Sequence, residues 1–126
     1  MAYPYPVVAA CNGHSFAMGV FLMLSTDYVI GCRGDFRISA NEVAIGLTMP
    51  RVAAAVLKHR LDPAAYQRAV TLSEEFNPES ALDTGFFDTL VEPGDLMAPK
   101  RLVQQQAGQQ GQGCPRAHLL PLLAPI

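Results

Sequence analysis

The stretch VVAACNGHSFAMGVFLML, residues 7–24, decides the fold of this 126-residue chain. Residues 7–11 form a short apolar run without helical period, bounded by a proline and an Asn-Gly pair, which predicts a buried strand. Residues 17–26 are apolar on every side, which predicts a central helix without a solvent face. A second apolar run at 28–30 predicts another buried strand. The sequence therefore predicts an α/β arrangement of strand, tight turn, buried helix and strand.

The following residues alternate between irregular and regular segments. Two glycines and two opposite charges predict a loop at 31–35, and 36–38 is a candidate strand. SANEVAIGLTMP, residues 39–50, has no clean period and predicts an irregular, partly buried segment. An apolar run at 86–91 predicts a further strand, and a last helix is expected from about Leu96.

Three helices between these segments have clear end signals. Proline and capping residues mark the starts of these helices, and a glycine marks the end of one of them. In the last turn of another helix, basic residues interact favourably with the helix dipole. The signals are Pro50 before RVAAAVLKHRL with its Lys58, His59 and Arg60, Asp62-Pro63 before AAYQRAVTL, and Asn77-Pro78 with a closing Gly85.

Residues 104–126 differ in character from the rest. QQQAGQQGQG holds six glutamines and three glycines in ten residues, and CPRAHLLPLLAPI holds three prolines that prevent a regular helix. We predict a core domain at 1–103 and a low-complexity, disordered tail at 104–126.

Composition excludes several classes of function. The chain is 50% hydrophobic and 16% charged, so further protein surface should cover part of it, and its formal net charge of −2 gives no attraction to nucleic acid or an anionic membrane. Three cysteines (Cys11, Cys32, Cys114) without metal-ligand spacing predict neither disulfides nor zinc.

No apolar run reaches the ~20 residues of a membrane span, and no basic residue precedes Arg33, as a secretory signal would require. We expect an intracellular protein, in the cytoplasm or an organelle.

The turn after the first strand offers two candidate side chains. Gly13-His14-Ser15-Phe16-Ala17 has the local pattern of a nucleophile elbow, which would make Ser15 the nucleophile of a hydrolase. The required histidine further along the chain could only be His118, and the alternative is a buried serine bonded to local backbone. His14 is a candidate base or metal ligand, or a packed ring, since no second ligand follows at helical spacing.

Glu42 is a candidate general base. Val43, Ala44 and Ile45 follow it, so its carboxylate could be partly shielded from water, which favours acid/base use. The alternative from local sequence is an exposed surface glutamate.

Three segments together resemble the crotonase (enoyl-CoA hydratase/isomerase) superfamily. They are PVVAACNGHSFAMGVFLMLSTDYVIG, NEVAIGLTMP and LSEEFNPESALDTGFFDTLVEPGDL, and the resemblance covers residues 4–103. It implies a partial crotonase-like spiral fold, with short buried strands layered with helices. It also implies a coenzyme A thioester as substrate, with no other cofactor and no metal.

The resemblance also implies roles for individual residues. In this family, two backbone N–H groups hold the thioester oxygen and stabilise the enolate. One donor maps to Met18 and the other to an earlier segment that this chain lacks, while Glu42 maps to an acid/base glutamate. The implied substrate-binding residues lie in the turn and helix: Gly13, His14, Ala17, Gly19 and Phe21.

Two departures from the family pattern affect the expected reaction. A glycine triplet is replaced by Ala17-Met18-Gly19, which keeps the N–H of residue 18. Phe21 occupies the position of a first catalytic glutamate of the hydratases, and phenylalanine cannot move a proton. One remaining carboxylate suits a double-bond isomerase better than a hydratase.

Family members are about twice this length and form trimers or hexamers, so the resemblance implies a truncated fragment whose full-length form is a homo-oligomer. The leading hypothesis is an acyl-CoA enzyme. The alternatives are a catalytically inactive remnant that packs with other subunits and a serine hydrolase using Ser15.

Overall fold

A parallel sheet organises the fold. The computed structural model describes residues 4–96 and the backbone of 118–122. In these ranges the strands are β1 Val7–Cys11, β2 Ser15–Phe16, β3 Tyr28–Cys32, β4 Ile38–Ser39, β5 Thr89–Val91 and β6 His118–Leu122. The helices are α1 Met18–Leu24, α2 Arg51–Arg60, α3 Pro63–Leu72 and α4 Pro78–Thr84, with a 3-10 turn at Pro93–Asp95. None of the helices in these ranges is long and apolar enough to cross a membrane.

The main sheet has the order β5-β3-β1-β6, and all its neighbouring strands are parallel. Every residue of β1 is buried, and so is every residue of β3 after Tyr28. Continuous apolar strands of this kind are typical of parallel sheets covered on both faces. The predicted strands at 7–11 and 28–30 are thus confirmed, and β3 extends to Cys32 because Gly31 and Cys32 pair with β5.

Helix α1 connects β1 and β3, as predicted, but it has a solvent face. Val20 and Met23 are fully buried, whereas Met18 is 62% and Leu22 is 52% exposed. The prediction of a helix buried on all sides is therefore wrong. The helix ends at Leu24, where the hydroxyls of Ser25 and Thr26 donate to carbonyls of its last turn at 2.6 and 2.7 Å.

The predicted ends of the later helices are confirmed. Asp62 caps α3 by accepting a hydrogen bond from the Ala65 N–H at 2.9 Å. Asn77 and Ser80 form a reciprocal capping box at the start of α4. Gly85 ends α4 with φ at 103°, a left-handed conformation that favours glycine.

The strand predicted at 86–91 is shorter in the structure. Phe86 and Phe87 are buried in the main hydrophobic cluster rather than paired in the sheet. A carboxylate oxygen of Asp88 accepts a hydrogen bond from the Val29 N–H at 2.8 Å, so a side chain satisfies the β3 backbone there. Regular pairing begins only at Thr89.

One part of the tail is described by the structure. The backbone of 118–122 forms β6, which pairs with β1. The prediction of a disordered tail at 104–126 stays a prediction. Proline prevents a helix there but is compatible with an edge strand. The boundary predicted at residue 103 and the helix predicted from about Leu96 lie outside the described residues.

Cys11 ends β1 with its thiol buried. Burial raises the pKa of the Cys11 thiol from 9.0 to about 11, because the thiolate would lose its hydration. The folded state therefore keeps this proton to higher pH than the unfolded chain does. We expect its contribution to the free energy of unfolding to be unchanged below about pH 9 and to fall by roughly 2–3 kcal/mol as the pH rises to about 11.

Urea unfolding of the parent and of Cys11→Ala at mildly and strongly alkaline pH measures this contribution. The variant should lose less stability than the parent over that interval. An equal loss in both proteins would contradict the assignment to Cys11.

Candidate active site

The turn between β1 and α1 holds a conformation that most residues avoid. Ala17, the N-cap of α1, has φ 49° and ψ −116°, and no side chain caps the helix. The ψ angle of Ala17 orients the peptide that carries the Met18 N–H. A strained non-glycine residue at a helix start is the kind of feature that clusters at functional sites.

We expect Ala17→Gly to stabilise the fold. Positive φ costs alanine about 1–3 kcal/mol, while glycine adds about 0.5–1 kcal/mol of chain entropy to the unfolded state. The net increase in the free energy of unfolding should be about 1 kcal/mol, measured by urea titration. Ala64→Gly, at an exposed position of α3, is the matched control and should lower stability. A loss of stability in both variants would show that Ala17 is not strained.

A small second sheet joins the turn to the segment that carries Glu42. Strand β2 pairs with β4 in parallel, with Ser15 opposite Ile38 and Phe16 opposite Ser39. The Ala17 N–H donates to the Ser39 carbonyl at 3.1 Å. Because Met18 follows Ala17 and Glu42 comes three residues after Ser39, the pairing brings both candidate catalytic residues to one region of the fold.

The Glu42 carboxylate is buried rather than exposed. Its residue is only 4% exposed, and its Oε2 is buried without a hydrogen-bond partner in the described part of the chain. The neighbouring Asn41 Oδ1 is in the same state. An unpartnered buried acceptor costs roughly 1–3 kcal/mol, and more if charged, so such an oxygen calls for a functional explanation.

Ser73, at the end of α3, holds the Glu42 segment in place. Its hydroxyl accepts a hydrogen bond from the Ala44 N–H at 3.2 Å, and its carbonyl accepts one from the Ser39 hydroxyl at 3.2 Å. The loop then folds back, because the Leu47 N–H donates to the Glu42 carbonyl at 2.8 Å. The carboxylate is thus positioned by tertiary contacts that local sequence does not reveal.

The segment after Glu42 is apolar yet open to solvent. Val43, Ile45 and Leu47 are each about half exposed, as is the side chain of Met18 at the start of α1. The sequence predicted a partly buried segment here and did not indicate that these side chains form a candidate binding surface. The signal available was an apolar run without period directly after a candidate catalytic residue.

His14 contacts its own neighbourhood. Its Nδ1 accepts a hydrogen bond from the Arg37 N–H at 3.1 Å, so in the neutral ring the proton lies on Nε2. The ring stacks on Phe16 at 6.0 Å and meets Phe36 edge-on at 5.9 Å. These contacts fit a packed ring, and within the described residues no group of three His, Cys, Asp or Glu side chains could hold a metal.

Ser15 lies buried in β2 without an imidazole partner among residues 4–96. A Cβ built at Gly19 would come within 3.2 Å of the Ser15 Oγ. Gly19 therefore leaves room for this side chain inside the turn. Gly13 is buried as well, and its carbonyl accepts the Cys11 thiol at 3.3 Å.

Phe21 belongs to the core. It is buried in the same hydrophobic cluster as Ala9, Val29 and Phe86. Its ring therefore fills space between α1 and the sheet, where a carboxylate would require desolvation. The described site contains one buried carboxylate, that of Glu42.

These features define an α/β protein with a strained helix start and a buried glutamate whose Oε2 has no hydrogen-bond partner among the described residues. The family model described as enoyl-CoA hydratase/isomerase matches residues 1–116. The chain belongs to this family, the crotonase superfamily. The resemblance and the fold class inferred from the sequence are thereby confirmed.

Individual relatives agree with this assignment. The chain is 33% identical over 114 residues to the peroxisomal enoyl-CoA delta isomerase 2 of Arabidopsis thaliana, covering 87% of this chain and 48% of that protein. An enoyl-CoA hydratase/isomerase family protein from Pseudomonas syringae superimposes with a TM-score of 0.79 at 40% identity, covering 84% of this chain and 46% of that one. A Mycobacterium tuberculosis protein, named an enoyl-CoA isomerase in one solved structure and a probable enoyl-CoA hydratase in another, gives TM-scores of 0.76 and 0.75 at 40% identity. The match covers 82% of this chain and 46% and 44% of the two solved chains. The chain thus spans about half the length of these relatives.

Proposed function

We propose that this chain carries the acid/base half of an enoyl-CoA isomerase site, with Glu42 as the single proton-transferring residue. The observation that carries the proposal is the burial of the Glu42 carboxylate, one oxygen of which has no partner in the part of the chain that the structure describes. A carboxylate shielded from water and free to accept a proton is suited to removing one from carbon.

The proposed reaction moves one proton and two electron pairs. Glu42 takes a proton from the α-carbon of a β,γ-unsaturated acyl thioester, and the electrons of that C–H bond move toward the thioester oxygen to form a dienolate. The same carboxylic acid then gives the proton to the γ-carbon, and the double bond moves into conjugation with the thioester. Atoms and charge balance without a second reactant.

The backbone N–H of Met18 is the proposed donor to the thioester oxygen. It lies at the start of α1, where helix N–H groups lack intrahelical partners and the helix dipole is positive. The unusual torsion angles of Ala17 set its direction. A donor of this type acts where the negative charge develops, which is why one such group typically contributes about 10²- to 10³-fold in rate.

Isomerisation is favoured over hydration by Phe21. Adding water needs a group that activates the water as well as one that protonates carbon, and the phenyl ring in the core can do neither. The Arabidopsis relative is named an enoyl-CoA delta isomerase, which supports the same choice. Gly13, His14, Ala17 and Gly19 shape the wall that the thioester contacts.

The proposed function also includes an oligomeric state and a location in the cell. The exposed apolar residues around Glu42 are expected to be covered by acyl chain or by neighbouring protein, which fits a homo-oligomer, a trimer or hexamer in a full-length form. The protein acts inside the cell, in the cytoplasm or in an organelle.

Titration of the chain with a medium-chain acyl-CoA in a calorimeter tests the proposal. We expect saturable binding that is weaker for free coenzyme A, because the acyl chain and thioester contribute. Failure to bind any acyl-CoA would favour the inactive remnant instead. Covalent labelling by a fluorophosphonate that is lost in Ser15→Ala would favour the hydrolase.

A further inference from the structure

A series of hydrogen bonds joins the strained turn to the loop that carries Glu42, through two serines. The Ala17 N–H donates to the Ser39 carbonyl at 3.1 Å, and the Ser39 hydroxyl donates to the Ser73 carbonyl at 3.2 Å. The Ser73 hydroxyl in turn accepts a hydrogen bond from the Ala44 N–H at 3.2 Å. Ala17 directly precedes the proposed oxyanion donor, and Ala44 follows Glu42 by two positions. The series therefore connects the two parts of the proposed site.

Ser39 is the rigid member of this series. It is fully buried and lies in β4, where it pairs with Phe16 of β2. Its carbonyl bonds toward the turn and its hydroxyl bonds toward the end of α3. Because a buried strand residue with both groups bonded has little freedom to move, the turn and the end of α3 are held in one fixed relation.

Ser73 adopts a conformation that favours glycine. It follows Leu72, the last residue of α3, with φ 50° and ψ 38° in the left-handed region. Among the described residues other than glycine, only Ala17 shares a positive φ. Glycine is the usual residue at such a helix end, as Gly85 is at the end of α4. The helix end does not require a serine, so the hydroxyl calls for another explanation.

The Glu42 loop has few other ties to the fold. Its turn is closed within the loop itself, where the Leu47 N–H donates to the Glu42 carbonyl at 2.8 Å. In the described part of the chain, the bond from the Ala44 N–H to the Ser73 hydroxyl is the one hydrogen bond that ties residues 42–47 to a different segment. The apolar side chains that follow Glu42 are about half exposed, so packing holds the loop only weakly.

We propose that the Ser73 hydroxyl is a positioning group that fixes the Glu42 carboxylate relative to the Met18 N–H. This role rests on the proposed function, in which both groups act on one thioester. Because the hydroxyl bonds to the loop backbone, it acts on the carboxylate through the Ala44 N–H. A misplacement of about 1 Å can lower a rate by about 10²-fold, so the loss of this single bond affects the proton transfer more than it affects substrate binding.

Two substitutions at residue 73 separate this role from a structural one. Ser73→Gly removes the hydroxyl and relieves the left-handed strain, so the free energy of unfolding should stay near that of the parent. Its kcat should fall by about 10- to 100-fold, with KM little changed. Ser73→Thr keeps a hydroxyl but places a β-branched residue at positive φ. It should therefore be less stable than the parent and yet retain most of the parent kcat.

Three measurements on the parent and both variants make the comparison. Steady-state kinetics with a β,γ-unsaturated acyl-CoA gives kcat and KM, and urea unfolding gives stability. Exchange of the Ala44 amide reports the hydrogen bond itself, and it should be faster in Ser73→Gly and close to the parent rate in Ser73→Thr. Glu42→Gln is assayed alongside, so that the part of the rate that depends on the carboxylate is known.

The possible failures are distinguishable. A parent-like kcat in Ser73→Gly, or an equal loss of kcat in the two variants, would overturn the positioning role and leave Glu42 as the acid/base residue. A kcat that falls in step with stability in both variants would make Ser73 a structural residue and overturn the role as well. A parent rate no higher than that of Glu42→Gln would overturn the proposed function, and the positioning role with it.

Discussion

Glu42→Gln should lower the rate of enoyl-CoA isomerisation by about 10²- to 10⁴-fold, the usual contribution of a general acid/base. Glutamine has nearly the same shape, so the loop held by Ser73 should keep its conformation. Its amide can neither accept nor return the proton. We expect acyl-CoA binding to change little, so the loss should appear in kcat rather than in KM.

Glu79→Gln is the matched control for this variant. Glu79 lies on the exposed surface of α4 and pairs with Arg33 at 3.4 Å, an ion pair of the kind that contributes little. Its activity should equal that of the parent. If Glu42→Gln kept more than about a tenth of the parent rate while binding acyl-CoA normally, Glu42 would not be the acid/base residue.

Gly85→Ala should cause the largest loss of stability among single-methyl additions to the glycines that end or connect the described elements. At φ 103° an alanine is strained, and its Cβ would lie 2.4 Å from the Arg60 carbonyl oxygen. That oxygen belongs to the backbone at the end of α2 and cannot rotate away. Strain of about 1–2 kcal/mol and overpacking of about 1–3 kcal/mol together predict a loss of about 2–5 kcal/mol.

Two other glycines separate strain from overlap. Gly46 has φ 78° but open space around a built Cβ, so Gly46→Ala should lose only the strain, about 1–2 kcal/mol. Gly94 has neither strain nor a near neighbour, so its alanine variant should match or slightly exceed the parent. Urea unfolding of the three variants should rank them in that order, and a Gly85→Ala as stable as Gly46→Ala would contradict the packing between α4 and α2.

The helix ends were predictable because their causes are local. Asp62, Asn77 and Gly85 each act within a few residues of the chain, through a cap or a left-handed turn. The start of β5 was not predictable, because the Asp88 side chain takes the place of a backbone hydrogen bond of the sheet. It reaches the Val29 N–H in β3, 59 positions away in sequence. Strand β6 escaped prediction for a similar reason, since only the open edge of β1 makes a proline-containing segment a strand.

The residues of the candidate site came from the resemblance, and its geometry could not be predicted from the sequence. The resemblance pointed to Met18 and Glu42 together, whereas local sequence alone favoured an exposed glutamate. Burial of that carboxylate follows from the pairing of β2 with β4 and from the contacts of Ser73, both of which join distant segments. The strain at Ala17 could not be inferred at all, because alanine carries no signal of positive φ.

We propose that one buried carboxylate, that of Glu42, shifts a double bond without adding water. Its most direct test offers the chain a β,γ-unsaturated acyl-CoA and, separately, the conjugated α,β-unsaturated isomer, with products separated by chromatography. We expect interconversion of the two enoyl thioesters and no 3-hydroxyacyl product from either. Formation of the hydroxyacyl thioester at a rate similar to isomerisation would contradict it.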